Sequence, residues 1–534
     1  MHRHLLKTLF FLFLFFSSGH SFAQSYNGDA QASLLRAYKL INTQYVDTVN
    51  YNKLVEDAIK AMVNNLDPHS KYLDKERIKR NNEEIRGSFG GIGIFYQILD
   101  DTLMVLSVTP DGPSKKAGIR PGDRFLEING ETVCGIPLSH KFFSKRLRGK
   151  QGSMVEITIL RHDNKKVEDI VIKRAAIPIH TLDVAYMLDE QTGYIRLNMF
   201  SRTTMKEFNS ALVELMFQGM KQLVLDLRGN PGGLMIASIQ LADEFLTKDK
   251  LIVYTQGEHY EREDYKSSNI GKMKKGRLIV LMDEYSASAS EICAGAIQDW
   301  DRGLIMGRRS YGKGLVGRNF MLPDGSALRL TTGRYYTPSG RCIQKSYAKG
   351  RNDYQHDLDR RYLHGEFIHA DSIKLPDSLL YRTHNGRKVY GGGGIMPDIF
   401  FPLDTSYYSG FLRKINSKGA INYFAARYFD LHLEELLHKY PDYERFHQGF
   451  SLNDDILNEF KDLCKQRYKI EADSNDWAVS KEYIRWNIKA ALARSIYEDG
   501  SYFKERGPYD KMLQEAKAII NDPKVFKKHG VQAK

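Results

Sequence analysis

Apolar positions recur with a helical period near the start of the chain. Leu34, Leu35, Tyr38 and Ile41, then Leu54, Ala58, Ile59 and Met62, predict helices across residues 28–85. Asp67-Pro68-His69-Ser70 breaks the pattern. From 86 to 162 the rhythm shortens. Gly90 to Ile94 opens a strand, Val105 to Val108 and Phe125 to Ile128 read as two more, and Val155 to Leu160 as a last one. Short helices fit at Pro113–Ile119 and Phe142–Leu147, and Asn129-Gly130 is a hairpin-type turn. That mixture predicts a small, partly open β-barrel. Between about 180 and 345, strands at 194–197, 223–225, 251–254 and 278–281 alternate with helices at 204–217, 234–245 and 289–300, the pattern of a layered α/β domain. Residues 346–395 are polar and read as a long surface excursion. Helical patterning returns from 406, for example at 431–437 and 487–497. No internal repeat is visible.

The first residues carry a different signal. Arg3 and Lys7 precede an unbroken apolar run from Leu9 to Phe16, and Ser21-Phe22-Ala23 is a small-x-small cleavage site with Gln24 as the mature start. The run is too short to span a bilayer. It predicts a signal peptide over 1–23 and an exported protein, periplasmic in location. No later segment is apolar enough for long enough to cross a membrane.

Composition narrows the class. The 534 residues are 42% hydrophobic and 27% charged, with a formal net charge of +13. Mean hydropathy is −0.45. These values exclude a polytopic membrane protein and a disordered chain. The basic residues are spread along the chain rather than gathered in a stripe, so a solvated basic surface is the better reading than nucleic-acid binding. Cys134, Cys293, Cys342 and Cys464 are too few and too scattered for a disulfide framework or a thiolate zinc site. Buried packing is the default for Cys293 and Cys342.

Three stretches could carry chemistry. Asp226-Leu227-Arg228-Gly229-Asn230-Pro231-Gly232-Gly233 leaves a strand and enters a helix. Its glycines expose backbone N–H groups that suit an anion or a developing oxyanion; a tight turn without function is the alternative. Tyr285-Ser286-Ala287-Ser288-Ala289-Ser290-Glu291 also leads from strand to helix. An N-cap role accounts for one of its serines, not for three alternating with small residues. Gly307 to Gly314 places Lys313 between two glycines. It nearly matches a phosphate-binding loop, but Gly314 stands where the magnesium-binding hydroxyl would be. Ser310-x-x-Lys313 fits the short penicillin-binding motif, yet the glycines oppose the helical turn it needs. Ser288 with Lys313 remains as the pairing. A serine hydroxyl needs a base, and lysine serves when burial lowers its pKa enough to leave a neutral amine.

In order and spacing, these motifs resemble the carboxy-terminal processing, or tail-specific, serine proteases. The resemblance runs from about residue 30 to 402 and includes Leu66-Asp67-Pro68-His69-Ser70 and Gly394 to Asp398. It implies an α/β multidomain fold: an N-terminal helical region (24–85), a PDZ domain (86–165), a crotonase-like α/β spiral protease core (166–402) and a helical C-terminal region (403–534). It implies Ser288 as nucleophile and Lys313, 25 residues on, as base. The oxyanion would meet the N–H of Ala289 and one from Gly232 or Gly233. Asp299 would support the site or form a buried salt bridge. Gly91, Ile92, Gly93 and Ile94 would form the PDZ loop that binds a substrate's free C-terminus. Arg148 would couple the PDZ domain to the core or sit as a surface arginine.

Two positions depart from the family. Its glutamine four residues after the lysine is Gly317 here, with Gln298 or Arg318 as substitutes, and its asparagine before the serine cluster is Asp283. The implied function is an exported endopeptidase cutting proteins near their C-termini. Its partners are proteins or peptides with free C-termini, not nucleic acid or a membrane interior. It needs no metal and no organic cofactor, and homo-oligomerisation stays open. The alternative is a non-catalytic exported PDZ binding module.

Overall fold

The computed structural model describes residues 28–373 and 376–531; the expected signal peptide over 1–23 lies outside the described residues. The chain divides into two compact units between Leu66 and Asp67. In the first, helices Gly28–Gln44 and Tyr51–Asn64 are described. Asn50 caps the second by accepting a hydrogen bond from the Lys53 N–H at 3.1 Å.

In the second unit, helix Lys75–Arg86 is capped by Asp74 and ended by Gly87 in the left-handed region. A barrel-like antiparallel sheet follows, in the order Ile94–Leu99, Thr102–Val108, Arg124–Ile128, Met154–Leu160, Val167–Lys173. The last of these pairs along its whole length with Met154–Leu160. The barrel therefore runs to Lys173 rather than 165; Glu168, Asp169 and Lys173 interrupt the apolar run of this half-buried strand. Strands Ser88–Gly91 and Ala175–Pro178 pair where the chain enters and leaves it.

The core is a six-stranded sheet ordered Leu182–Met187, Thr192–Leu197, Gln222–Asp226, Leu278–Met282, Leu304–Gly307, Ile399–Phe400, parallel except for its first pair. Strand Leu278–Met282 is buried throughout because both sheet faces are covered. Leu278, Val280 and Met282 pack with helices Thr204–Phe217, Met235–Asp243 and Ala289–Asp299. Ile279 and Leu281 point the other way, onto Met512, Leu513, Ala516 and Ile520 of the C-terminal helix Lys511–Asn521. A second sheet joins Lys71–Leu73, Ala327–Tyr336, Leu251–Gly257 and Tyr260–Lys266, with Leu315–Met321 also paired to Ala327–Tyr336.

The expected surface excursion at 346–395 is instead partly built into the core. Tyr354, Arg361, Phe367 and Val389 are buried. Arg361 is neutralised by Glu366 and donates to the backbone carbonyls of Arg309 and Ser310. Its polar composition reflects buried pairing rather than solvation.

The helices from Gly410 to Ile496 build a core of their own, including Phe411, Phe429, Phe446, Phe460 and Ile488. Leu99, Met104 and Leu106 of the barrel join it, while Leu103 and Val105 face the barrel interior. Strand Thr102–Val108 thus belongs to two hydrophobic layers. Arg124 pairs with Asp430 at 2.6 Å along the same contact.

Candidate active site

The turn after strand Gln222–Asp226 is set by a buried ion network. The Asp226 carboxylate accepts hydrogen bonds from Arg196, Arg228 and the Tyr194 hydroxyl, and Asp510 from the tail meets Arg228 as well. Burial alone would raise the Asp226 pKa; the two guanidiniums more than offset it and hold the carboxyl below its ordinary range. Asn230 then folds the turn back. Its Nδ2 donates to the Leu197 carbonyl and its Oδ1 accepts the Gly232 N–H. Gly232 and Gly233 both have positive φ, +97° and +146°. A Cβ at Gly232 would lie 2.8 Å from the Ser288 Cβ, and one at Gly233 would lie 2.0 Å from the Phe200 carbonyl oxygen. Only glycine lets this turn lie against Ser288.

The serine cluster divides its work. The Ser286 hydroxyl donates to the Leu227 carbonyl and the Ser290 hydroxyl to the Asn230 carbonyl, so both stitch the two turns together. Asp283 fills the asparagine position with its Oδ1, which accepts the N–H groups of Gly229, Tyr285 and Ser286. Ser288 sits at the tip, at the N-terminus of helix Ala289–Asp299, with φ +56° and ψ −110°. Such a conformation for a non-glycine residue costs about 1–3 kcal/mol and persists only where the surroundings enforce it.

Glu291 does much of that enforcing. It is fully buried. One carboxylate oxygen accepts the Ser288 N–H at 2.7 Å and the Lys313 N–H at 2.9 Å. The other accepts the Gly312 N–H at 2.7 Å and the Ser310 hydroxyl at 2.5 Å. A single side chain therefore fixes the backbone at both 288 and 313. The buried Tyr335 hydroxyl meets the carbonyl oxygens of the same two residues. Burial raises the Glu291 pKa, and its four donors offset only part of that.

Ser288 and Lys313 line one cavity of about 570 Å³, together with Gly232, Gly233, Ala289, Ile292, Leu315 and Tyr335. Burial lowers the Lys313 pKa, the nearby Arg329 guanidinium lowers it further, and Glu291 acts in the opposite direction. His69 lines the same cavity and accepts or donates at 2.7 Å to the Tyr354 hydroxyl. Burial first, then the Lys313 charge, hold His69 down to about 4, so it is neutral at physiological pH. Asp67 shapes the turn that presents it, accepting from the backbone N–H groups of His69 and Ser70 and from the Ser70 and Thr331 hydroxyls.

The remaining predicted residues fall in different places. Asp299 lies at the other end of the helix, where it accepts from Arg341 at 2.7 Å and from the Ser339 N–H. It does not line the cavity, and it forms the buried salt bridge that was one of its two expected arrangements. Gln298 is held by Met396, Asp398 and Arg341, and Arg318 stacks 4.4 Å from the Tyr260 ring; neither lines the cavity beside Gly317. Asn319 does line it, with its Oδ1 accepting from Arg329 Nε at 2.9 Å. Among the barrel residues, Gly91, Ile92 and Gly93 lead into the edge strand Ile94–Leu99, beside helix His140–Leu147. Tyr96 reaches from that strand to the helix, its ring 5.4 Å from His140 and 5.8 Å from Phe143. Arg148 stacks 3.9 Å over Phe89 and is 3.5 Å from Glu83, linking the barrel to helix Lys75–Arg86. Glu291, Tyr335, Lys71 and Arg329 escaped the sequence reading. Only Glu291 had a local signal, an acid three residues after the helix N-cap.

Comparison with known proteins gives this geometry a family. Residues 191–350 match peptidase family S41, and 90–173 match the PDZ domain. Residues 18–77 match the activating protease CtpB N-terminal domain, and 411–499 match a family of unknown function. The carboxy-terminal-processing protease of Bartonella bacilliformis is 38% identical over 314 residues, covering 58% of this chain and 71% of that one. The carboxy-terminal processing protease CtpB of Bacillus subtilis is 36% identical over 326 residues, 60% and 67% of the two chains. A probable CtpA-like serine protease of Staphylococcus haemolyticus is 35% identical over 368 residues, 66% and 73%. Among solved structures, the photosystem II D1 C-terminal processing protease aligns at 30% identity and TM-score 0.34, covering 59% of this chain and 90% of that one.

Fold and site are those of a serine-type peptidase that carries a peptide-binding PDZ domain. The chain belongs to the carboxy-terminal processing protease family of S41 peptidases.

Proposed function

We propose that Ser288 and Lys313 form the catalytic dyad of an endopeptidase that cuts proteins near their C-terminal ends. The observation that carries this reading is the shared cavity, with Glu291 bonded to the backbone N–H of both residues. A neutral Lys313 amine accepts the proton of the Ser288 hydroxyl as its oxygen attacks the scissile carbonyl. The same proton then passes to the departing amine nitrogen. The acyl ester left on Ser288 is hydrolysed by a water that gives a proton to Lys313 and its oxygen to the acyl carbon; the acyl C–Oγ bond then breaks, and Lys313 returns that proton to the Ser288 oxygen. Burial and Arg329 both favour the neutral amine that this requires.

The tetrahedral oxyanion needs preorganised donors. The Ala289 N–H at the helix N-terminus and the Gly233 N–H suit it. The Gly232 N–H is engaged by Asn230, so its carbonyl neighbour Gly233 is the better choice of the pair. Crotonase-like describes the layered core, and no step needs a metal or an organic cofactor.

The PDZ domain captures the substrate's free C-terminus by strand addition along Ile94–Leu99, with the N–H groups of the 91–94 loop meeting the terminal carboxylate. That strand is at the edge of its sheet, as the mode requires. The apolar leader followed by Ser21-Phe22-Ala23 supports export, with action in the periplasm.

The test is hydrolysis of an unfolded protein with an apolar C-terminus. Ser288→Ala and Lys313→Ala are expected to reduce cleavage by at least about 10³-fold while circular dichroism stays unchanged. A serine-reactive phosphonate should label the parent at Ser288. Full activity in either variant would overturn the dyad.

A further inference from the structure

The charge lining the Ser288 cavity is lopsided. Lys71, Lys313 and Arg329 all line it, and Glu84 is the one acid among the described residues that do. Lys71 and Arg329 are directly opposed across the antiparallel pair of strands Lys71–Leu73 and Ala327–Tyr336. Like charges placed so destabilise a sheet.

Other buried cations of this protein are satisfied, either by an acid or, for Arg174, by the carbonyls of Arg146, Leu147 and Met154. Arg341 pairs with Asp299, Arg308 with Glu284 and Arg361 with Glu366, each at 3.0 Å or less. Lys71 and Arg329 are half-buried, and neither has an acid within 4.0 Å among the described residues. Arg329 donates through Nε to Asn319, which leaves both of its terminal nitrogens without a protein acceptor. Burial and then the positive charges of Arg329 and Arg77 hold Lys71 down to about 8. Two strand partners thus aim unsatisfied donors into the cavity that holds Ser288.

We propose that Lys71 and Arg329 form a subsite that binds a carboxylate of the substrate chain, so that the enzyme selects an acidic residue close to the bond it cuts. The inference rests on the peptidase reading of this cavity. It adds a second carboxylate contact to the one assigned to the PDZ loop. A guanidinium and an ammonium side by side take the two oxygens of one carboxylate, and the anion relieves the repulsion between them. A neutral glutamine of the same shape relieves nothing.

The test uses an unstructured, fluorescently labelled peptide without acids, into which a single Glu or Gln is placed at successive positions. Each peptide is made with a free and with an amidated C-terminus. Binding to full-length Ser288→Ala protein is read by fluorescence anisotropy, and hydrolysis by the parent enzyme by mass spectrometry. One register should bind about tenfold tighter with Glu than with Gln, and show the same ratio in kcat/KM. Lys71→Met and Arg329→Gln should each bring that ratio below about twofold, and high salt should weaken it. If amidation, not the Glu scan, shows the effect and Lys71→Met removes it, the subsite binds the chain-end carboxylate and its selection of an acidic residue is overturned. An amidation effect untouched by Lys71→Met belongs to the PDZ loop. Equal binding and equal hydrolysis of every Glu and Gln pair would overturn the subsite and leave the dyad intact. Glu-selective binding without hydrolysis by the parent would instead sink the dyad and keep the subsite.

Discussion

Glu291 offers the sharpest perturbation, because its carboxylate serves four donors and each substitution orphans a countable number of them. Glutamine has the same shape but only one oxygen. Facing its NH2 toward Ser310 and Gly312 preserves the bonds to the N–H groups of Ser288 and Lys313. The Ser310 hydroxyl can rotate and accept, its proton giving up the Glu291 oxygen, so the Gly312 N–H is the one fixed donor left without a partner. An orphaned buried donor costs about 1–3 kcal/mol. The opposite orientation orphans the Ser288 and Lys313 N–H groups together and doubles that figure, so the first orientation wins. Leucine has no acceptor and orphans three backbone donors, about 3–9 kcal/mol on the same scale. That range reaches the whole stability of an ordinary domain, about 5–15 kcal/mol. Urea unfolding should therefore show Glu291→Gln folded with a lowered midpoint, and Glu291→Leu should fail to accumulate as soluble protein. With the 288 and 313 backbones still held, Glu291→Gln should keep KM within about twofold. Its kcat should fall by about 10- to 100-fold, since small misplacements of reacting groups are that damaging. A Gln variant with parental midpoint and parental kcat would show that the carboxylate positions nothing.

Three further outcomes follow from the same geometry. Lys313 must be neutral to act, so activity should rise with pH as its ammonium loses a proton. Arg329→Gln removes a charge that lowers the Lys313 pKa, so the rising limb should move to higher pH, and an unmoved or acid-shifted limb would refute the coupling. Gly232→Ala pushes a methyl to 2.8 Å from the Ser288 Cβ at φ +97°; kcat should drop at least about 100-fold for roughly 1–3 kcal/mol of stability, read by activity and thermal melting together. Ending the chain at Arg506 uncovers Val224, Ile279, Leu281 and Met306 on the core sheet. Light scattering should then show aggregation, and a monomeric, active truncation would mean those helices are dispensable.

The parts legible in the sequence were those with local cause. Strand Leu278–Met282 is an unbroken apolar run, and the small residues after it announce the close-packed start of helix Ala289–Asp299. Strand Ala327–Tyr336 was invisible because Arg329, Thr331, Thr332, Gly333 and Arg334 interrupt its apolar pattern. It exists through pairing with three other strands, of which only Leu315–Met321 neighbours it in the chain. Lys71 and Arg329 meet only through that pairing, so no motif could have joined them. The sequence leaves Asp299 between two readings for a related reason. Helical phase places it near the face of Ser288, and the choice of the salt bridge depends on Arg341, which lies on a segment whose position the sequence does not reveal.

Strand Thr102–Val108, shared between the barrel and the tail helices, has a practical consequence. Many PDZ domains are portable and can be cut out, grafted or swapped. Here excision would strip the cover from Leu99, Met104 and Leu106, leaving a greasy flank on an otherwise competent module. Anyone seeking a soluble fragment for binding work must carry the 410–496 helices along with it. The same shared strand couples the barrel to the tail helices, whose far end packs on the core sheet, so the barrel is tied to the core by more than the two strands where the chain enters and leaves it.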